Sequence, residues 1–561
     1  MKNLFSNHRG NLIILILMSL LLAHQVFSAG FFKIHDDIQV MRLYQINRCF
    51  QDGQIPCRWA PDMAGGYGQP MFNYYSASPY YLGELIKLLG FSYISVVKIL
   101  LILILVGSSL AMYFLLTQLL PAQASILGAS LYLMAPYRSL DVFVRGALAE
   151  AFALSLFPLV LGLILSITKK PTVNRSLMLA IISGIFFATH NITTLISLPI
   201  IFTVIIASYL SSQQKIKTLL FNIYGLVLGA GLASFFILPI VFERNLINTQ
   251  ALTNNYFNYR AHFITLRQMF FNNQWGFGVS EFGDKDTLSF SIGLFESILV
   301  LFSPVLISKL LIQKQIKHAI LVMVTVIMTL LYLFMTHNQS EPIWTLVPTL
   351  AYLQFPWRLL GVVALLSSIV AGYSVLIFPD NLKKYYVIVV IIFSIAVNYH
   401  HFSFVSLDRS ISDEKELIGY RFDTQSLSAV ADYLPLSSKV TPETLAPKTI
   451  ELISGNANVN YFEKRSNYFS AEIEVYSDNA KAIVPITYFE NWRIYFNGGQ
   501  KAEKITTGEK YGEMIIDISK GKTLVQGYFE NTKIREIGNL LTFLSFTVIL
   551  VIFLLNKNEN V

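Results

Sequence analysis

Two adjacent acids, Asp36 and Asp37, lie a few residues after an apolar stretch near the start of the chain. Neighbouring carboxylates repel each other, so the proton affinity of one can rise toward the range of a general base. His35 precedes the pair and is a candidate ligand of the same site. The alternative is structural: Asp36 caps a helix, and both acids favour the helix dipole.

Arginines and aromatic residues follow the acids within the same polar segment. Arg58 and Trp59 are adjacent, and Tyr67 lies in a stretch rich in Gly and Tyr. A guanidinium group matches the oxygens of a phosphate, and flat aromatic faces suit sugars. These three residues are therefore candidate substrate ligands.

A second charged group contains Arg138, Asp141, Arg145 and Glu150. Asp141 and Arg145 are four residues apart, so they can pair on one helix face. Charges close to apolar segments are costly and usually face a protein interior or a wet cavity. Either the four residues belong to the substrate site, with Arg145 facing a lipid-linked phosphate, or they form a structural ion-pair network.

Three more polar residues stand next to apolar segments. His190 and Asn191 adjoin the end of one segment, and Arg358 follows Pro356 and Trp357 before another. A lone His in such a place is often structural, and a Trp there is often an interface anchor. The functional alternative makes all three substrate ligands, with Arg358 as a second phosphate ligand.

The two cysteines and the absence of common nucleotide, zinc and hydrolase motifs restrict the reactions that the chain can catalyse. The two cysteines, Cys49 and Cys57, fall in one segment and pair in an oxidising compartment, unless both stay as buried thiols. No Walker loop, GxGxxG, zinc spacing or GxSxG elbow occurs. We predict no required metal or cofactor, although paired carboxylates could hold Mg²⁺ or Mn²⁺.

Composition indicates that membrane helices must position these residues. Charged residues make up 14% of the chain and apolar residues 54%. The apolar residues form blocks close to the ~20 residues that cross a bilayer as a helix. We predict a mostly α membrane protein of about twelve transmembrane helices, near 12–29, 93–117, 121–137, 147–167, 176–190, 192–210, 218–239, 288–311, 319–337, 359–378, 385–400 and 537–555.

The distribution of positive charge gives the orientation. Lys2 and Arg9 precede the first block, and alternating the spans places the Lys-rich short gaps on one side. Such gaps are typical of cytoplasmic loops, so we predict a multi-pass protein of the cytoplasmic membrane with both termini in the cytoplasm. The net charge of +8 is thereby explained without nucleic acid. A cleaved signal peptide is the alternative for the first block, since residues 26–28 resemble a cleavage site.

Three large polar segments then fall outside the cell. Residues 1–400 form the membrane domain, with outer loops at 30–92 and 242–287. Residues 401–536 contain alternating, β-prone segments at 468–476, 482–489, 513–518 and 523–529, and an Asn-Gly-Gly hairpin sequence at 497–499. They predict a small extracytoplasmic β-sandwich before a final helix and cytoplasmic tail at 537–561.

The acidic pair after the first span resembles the GT-C class of membrane glycosyltransferases. The finer pattern is similar to membrane proteins labelled "6-pyruvoyl-tetrahydropterin synthase-related", and more loosely to the YfhO-like group. The stretches that carry the resemblance are His35-Asp36-Asp37, Arg58-Trp59, Gly66-Tyr67-Gly68-Gln69-Pro70, Arg145-Gly146-Ala147-Leu148-Ala149-Glu150, Thr189-His190-Asn191 and Gln354-Phe355-Pro356-Trp357-Arg358.

This resemblance implies sugar transfer from a polyprenyl-phosphate carrier to an envelope glycan or lipid acceptor, with Asp36 or Asp37 as the base. The implied partners are membrane lipids, the lipid-linked donor and the acceptor. A pterin synthase needs a zinc-binding histidine set, which the sequence lacks. The alternatives are a non-enzymatic transporter or flippase of lipid-linked glycans and an envelope assembly factor.

Overall fold

The computed structural model describes residues 7–272, 274–281, 283, 286–428, 431–502 and 505–558 of the 561-residue chain. Lys2, which contributes to the predicted orientation, lies outside these residues. Helices dominate the first 400 residues, and strands dominate the segment from residue 451 to residue 529.

The α-helices follow the apolar blocks of the sequence, with short helices in the connections. In chain order they are α1 (His8–Leu22), α2 (Gln39–Gln51), α3 (Ser78–Lys87), α4 (Tyr93–Thr117), α5 (Ala122–Met134), α6 (Pro136–Ser139), α7 (Leu148–Lys169), α8 (Val173–Phe187), α9 (Asn191–Ser211), α10 (Lys215–Leu232), α11 (Ser234–Phe242), α12 (Leu266–Phe270), α13 (Leu294–Leu301), α14 (Ser303–Ile312), α15 (Ile316–Thr336), α16 (Glu341–Leu346), α17 (Leu360–Ser374), α18 (Asp380–Asn398), α19 (Asp413–Leu417), α20 (Gly419–Ser426) and α21 (Lys533–Asn558).

Helix length limits how many of these elements cross a bilayer. Within the described ranges, eight helices are long and apolar enough to do so, or nine if the bent pair α13 and α14 counts as one span. Three shorter apolar helices, α1, α5 and α8, occupy three further predicted spans. Every predicted span therefore falls on helical backbone, while the number twelve stays a prediction.

The first helix packs within the bundle. The Ser19 hydroxyl lies 3.1 Å from that of Ser109 on α4, and the Asn11 amide donates to the Tyr113 hydroxyl at 3.0 Å. Such buried contacts favour a helix that stays with the protein over a removed signal peptide. The helix ends at Leu22, seven residues before the predicted boundary.

Two interactions hold the segment after α1 in place: a short β-ladder and a disulfide bond. Strand β1 (Phe31–Phe32) pairs antiparallel with β2 (Leu407–Asp408), which ties the loop to the region before the sheet. Cys49 and Cys57 form a disulfide bond with Cα atoms 5.5 Å apart, as the sequence predicted. The bond links α2 to the loop that follows it.

The β-rich segment forms one antiparallel sheet of seven strands. Its strands are β3 (Glu451–Ser454), β4 (Ala457–Lys464), β5 (Tyr468–Thr487), β6 (Trp492–Phe496), β7 (Gln500–Lys501), β8 (Thr506–Thr507) and β9 (Glu513–Phe529). The order is β3-β5-β9-β6-β7, with β4 also on β5 and β8 also on β9. The predicted hairpin is confirmed, because β6 and β7 pair across residues 497–499.

The structure differs from the predicted β-sandwich domain in three respects. Two predicted strands, at 468–476 and 482–489, are one long strand with an irregularity between Val475 and Asn479, so the strands belong to a single continuous sheet. The described part of 401–450 holds α19, α20 and irregular chain instead of a sheet layer. The sheet is also not separate, because Trp59 and Tyr74 of the first loop belong to its apolar core.

Candidate functional site

A cavity of about 850 Å³ lies where the helical bundle meets the first loop and the segment before the sheet. Six of the predicted site residues line it: His35, Asp36, Arg145, His190, Asn191 and Arg358. They come from four separate parts of the chain. The cavity is therefore the place at which the structure combines the predicted chemistry.

Backbone pairing fixes Asp36 beside Arg145. The amide of His35 donates to the carbonyl of Val144 at 3.0 Å, and that of Asp36 donates to the carbonyl of Arg145 at 2.9 Å. The next residue, Gly146, has φ +61°, and a Cβ there would lie 2.4 Å from Cδ1 of Ile34. A glycine is required for this close approach of the two segments.

The two acids face different surroundings. Asp36 lines the cavity, its side chain is 45% exposed, and its Oδ2 lies 3.9 Å from Nη1 of Arg42. Asp37 does not line the cavity. Burial raises the pKa of Asp37, and the nearby Arg421 guanidinium opposes this rise. Helix α2 begins after Ile38 with no side-chain cap, so the capping alternative for Asp36 is wrong.

A buried carboxylate holds the two arginines of the cavity together. Oε2 of Glu150 accepts from Arg145 at 3.0 Å and from Nε of Arg358 at 3.2 Å, while its Oε1 accepts from the Tyr137 hydroxyl at 2.6 Å. Asp141 forms the predicted ion pair with Arg145. Asp141 and Glu150, which the sequence predicted as substrate ligands, do not line the cavity. They form ion pairs with these arginines instead.

Both arginines keep hydrogen-bonding capacity. The bonds of Arg145 leave from Nη1, and those of Arg358 leave from Nε and from Nη1, which reaches Leu353 and Gln354 at 2.8 and 2.9 Å. Neither Nη2 has a hydrogen-bond partner in the described part of the chain. The Arg145 guanidinium also lies 4.8 Å from the ring centroid of Trp357. The fixed guanidinium groups are thus able to donate to an anion in the cavity.

Histidine side chains border the charged end. Nδ1 of His190 lies 2.7 Å from Oγ1 of Thr193, which fixes the ring at the start of α9 beside Asn191. The ring of His35 lies 4.4 Å from that of Phe277, and burial lowers the pKa of His35. His35 is therefore a neutral hydrogen-bonding group at pH 7.

One wall of the cavity is apolar and continues to the outer surface of the bundle. It includes Leu195 and Leu198 of α9 and Ile237 and Val241 of α11. Leu198 is 47% exposed and Val241 is 53% exposed. Leu198 lies seven residues from Asn191, or about 10 Å along the helix. An apolar chain can therefore extend from the charged end to the bundle surface.

Besides Asp141 and Glu150, four predicted substrate ligands do not line this cavity. Arg58 donates to Asn73 at 2.8 Å and to Asn539 at 2.7 Å, which links the first loop to α21. Burial lowers the pKa of Arg58 to about 10. Trp59 packs against Trp492 and Phe529 of the sheet, with ring centroids 5.7 and 5.3 Å away.

The other two make similar internal contacts. The Tyr67 ring lies 5.1 Å from that of Tyr511, between the first loop and the sheet. Arg138 is buried and donates to the hydroxyl of Ser108 and to the carbonyl of Ala151. For all four residues, the contacts explain the side chain without a substrate, which corrects their assignment to the substrate site.

The structure adds cavity residues that sequence reasoning missed. Arg42 lies under the ring of Tyr75, 4.1 Å from its centroid, and its Nη1 donates to the Tyr75 hydroxyl at 2.8 Å. Asp432 and Tyr433 come from the segment before the sheet. Arg42 lies six residues after Asp36 in the sequence, and this spacing could have indicated its place in the site. Asp432 stands in no motif, so no sequence signal indicated it.

Metal binding has no additional support from the fold. Across the described ranges, no group of three or more His, Cys, Asp or Glu side chains is placed to hold a metal ion. The prediction that no metal is required, with Mg²⁺ or Mn²⁺ as an option at the paired carboxylates, stays a prediction that rests on the sequence.

Comparison with protein families gives the affiliation of the chain. A family described as "6-pyruvoyl-tetrahydropterin synthase related domain; membrane protein" matches residues 72–405, which is more than half of the sequence. The chain belongs to this family. The match confirms the resemblance and identifies a membrane protein. No curated protein sequence matches the chain.

Two solved structures that are similar to the chain are those of an arabinofuranosyltransferase and an oligosaccharyltransferase. A variant of arabinofuranosyltransferase AftD from mycobacteria has a TM-score of 0.43 and 12% identity over 70% of this chain. Archaeal oligosaccharyltransferase AglB from Archaeoglobus fulgidus, bound to an inhibitory peptide and a dolichol-phosphate, has a TM-score of 0.42 and 12% identity over 72%. The chain spans 28% of the first protein and 56% of the second.

Proposed function

We propose that this membrane protein transfers a sugar from a polyprenyl-phosphate carrier to a hydroxyl group of an envelope glycan or lipid. The observation that carries the proposal is the division of the cavity into a charged end and an apolar wall. Asp36, Arg145 and Arg358 stand at the charged end, and the wall reaches the bundle surface between α9 and α11. A lipid-linked phosphate has the same division.

The carrier would enter from the bilayer. Its isoprenoid chain would lie along Leu195, Leu198, Ile237 and Val241, where it exchanges contacts with lipid tails for van der Waals contacts with these side chains. Its phosphate would meet the arginines that Glu150 holds in place. Nη2 of each arginine would then donate to a phosphate oxygen in a charge-assisted bond.

Asp36 would serve as the base. The acceptor hydroxyl gives its proton to the Asp36 carboxylate, and its oxygen forms a bond to the anomeric carbon on the face opposite the phosphate. The bond between that carbon and the phosphate oxygen breaks, and its electron pair leaves with the polyprenyl phosphate. Arg145 and Arg358 stabilise the charge that develops on the leaving phosphate. The configuration at the anomeric carbon is inverted.

The proposal places the cavity on the outer face of the cytoplasmic membrane, which reporter fusions test. Fusions at Lys170, Lys215, Lys314 and Lys384 are expected to report the cytoplasm, because cytoplasmic loops retain Lys and Arg. Fusions at Asp52, Asn258 and Asn456 are expected to report the exterior. A cytoplasmic report from Asn456 would contradict the orientation and the site of transfer.

Profiling of lipid-linked sugars and envelope glycans in a deletion strain tests the activity. We expect one polyprenyl-phosphate sugar to accumulate and the corresponding sugar to disappear from a glycan. The wild-type gene should restore both, and a gene carrying Asp36→Asn should restore neither. Unchanged pools in the deletion strain would contradict the proposal. Full restoration by Asp36→Asn would favour a transporter, since transport needs no base.

A further inference from the structure

A second carboxylate, Asp432, enters the cavity from the segment that precedes the sheet. It lies in the 3-10 turn Ala431–Tyr433, next to the tyrosine that also lines the cavity. The turn is held by neighbouring backbone bonds: the amide of Asn248 donates to the carbonyl of Leu434 at 2.9 Å. The position of Asp432 is thus fixed by two segments that are distant in sequence.

Arg42 connects this carboxylate to Asp36. Nη1 of Arg42 is 3.9 Å from Oδ2 of Asp36. The positive charge of Arg42 also stabilises the ionised carboxylate of Asp432. Burial raises the pKa of Asp432 to about 6, Arg42 opposes the rise, and Asp36 adds to it. Asp432 is therefore mainly ionised at pH 7 and can accept hydrogen bonds. In the described part of the chain, its side chain has no hydrogen-bond partner.

Tyrosines surround this group of charges. The rings of Tyr74 and Tyr433 are nearly parallel, with centroids 6.3 Å apart, and Tyr75 lies 6.1 Å from Tyr433. All three line the cavity. The Tyr74 hydroxyl donates to the carbonyl of Glu243 at 2.9 Å, and the Tyr75 hydroxyl accepts from Arg42. The flat rings, the hydroxyl of Tyr433 and the donor capacity of the Tyr75 hydroxyl suit a ligand that carries many hydroxyl groups on a compact carbon frame.

The charge balance distinguishes this group from the phosphate end. Arg42 faces Asp432 and also Asp36, the carboxylate that both groups share. Arg145 and Arg358 at the phosphate end are paired with Glu150, and Arg244 lies over the ring of Tyr352, 5.9 Å from its centroid. Two carboxylates repel an anion and accept hydrogen bonds from hydroxyl groups. An acceptor that reaches Asp36 from this side therefore meets hydroxyl-binding groups.

We infer that Asp432, Arg42, Tyr75 and Tyr433 form an acceptor subsite that binds an uncharged saccharide through its hydroxyl groups. The inference rests on the proposed function and narrows the acceptor from glycan or lipid to an uncharged glycan. Asp432 accepts from the acceptor hydroxyls, Arg42 donates to them, and the saccharide thereby presents one hydroxyl to Asp36. Asp432 determines specificity and takes no proton from the reacting hydroxyl.

Saccharide binding is measured with full-length protein in nanodiscs that contain C55 polyprenyl phosphate. The probes are uncharged tetrasaccharides of glucose, mannose, galactose and rhamnose, together with anionic tetragalacturonate, and binding is followed by saturation-transfer NMR. At least one uncharged probe should bind the wild type. Asp432→Asn should weaken it about 10-fold or more, because a charge-assisted hydrogen bond is lost.

The matched control is Asp478→Asn, since Asp478 is fully exposed in the sheet and makes only a 3.9 Å contact with Lys520. This control should bind like the wild type. Tyr433→Leu provides a second test if Asp432→Asn lowers the melting temperature. The inference is overturned if no uncharged probe binds, if tetragalacturonate binds more tightly, or if folded Asp432→Asn and Tyr433→Leu both bind like the wild type.

Binding of C55 polyprenyl phosphate is measured separately, by native mass spectrometry of the same proteins. Asp432→Asn should not weaken this binding, because the residue does not contact the phosphate-binding arginines and the substitution removes a negative charge from the cavity. If the wild type fails to bind the carrier, the proposed function fails, while the saccharide titrations still decide on the acceptor subsite. The two results are thus distinguishable.

Discussion

Asp36→Asn is expected to reduce sugar transfer by about 10²–10⁴-fold, the usual effect of losing a general base. Asn keeps the size of Asp and can still form hydrogen bonds, but it takes no proton at neutral pH. The backbone bond from residue 36 to Arg145 does not involve the side chain, so the local fold should persist. Transfer is measured with a radiolabelled polyprenyl-phosphate sugar and normalised to the amount of folded protein.

Asp37→Asn provides the comparison within the acidic pair. Asp37 does not line the cavity and is influenced mainly by burial and by Arg421, so its variant should transfer at a rate within a few fold of the wild type. Asp478→Asn controls for the chemical change itself on an exposed surface. Full transfer by Asp36→Asn at wild-type protein abundance would contradict the mechanism. A severe loss of transfer with Asp37→Asn alone would instead identify Asp37 as the base.

Local sequence patterns predicted much of the fold because the bilayer imposes strong local rules. A helix that crosses it must be long and apolar, so each predicted block coincides with helical backbone such as Tyr93–Thr117. The Asn-Gly-Gly turn and the two neighbouring cysteines were also local patterns, and both predictions are confirmed. The sheet was harder, because a long strand with an irregularity reads as two strands.

The candidate site depends on contacts that local patterns do not contain. Glu150 and Arg358 are 208 residues apart, and their ion pair exists only because α7 packs against the segment before α17. Asp432 stands in no motif and reaches the cavity through the β-like contact of residues 246–248 with 434–436. Conversely, Arg58 and Trp59 matched a substrate-binding pattern, but Arg58 donates a hydrogen bond to α21 and Trp59 packs against the sheet.

Arginine geometry gives the other large expected effect. A lysine presents a compact charge and cannot reproduce the fork that holds a carboxylate and a phosphate at the same time. Arg358 uses Nε for Glu150 and Nη1 for Leu353 and Gln354, which leaves Nη2 for the ligand. A lysine at this position must choose among these partners. Arg145 likewise binds protein carboxylates with one nitrogen and keeps another for the ligand, since Asp141 and Glu150 both accept from its Nη1.

Arg358→Lys and Arg145→Lys are each expected to weaken the binding of C55 polyprenyl phosphate about 10- to 100-fold. This range corresponds to the loss of one charge-assisted hydrogen bond, about 1.5–3 kcal/mol. Native mass spectrometry in nanodiscs measures the binding, and Arg260→Lys is the control, because Arg260 is half exposed and pairs only with groups outside the cavity, including Glu341 at 2.7 Å. A purely structural network would instead lower protein abundance and melting temperature and leave the affinity of the folded fraction unchanged, since breaking a buried ion pair destabilises the fold.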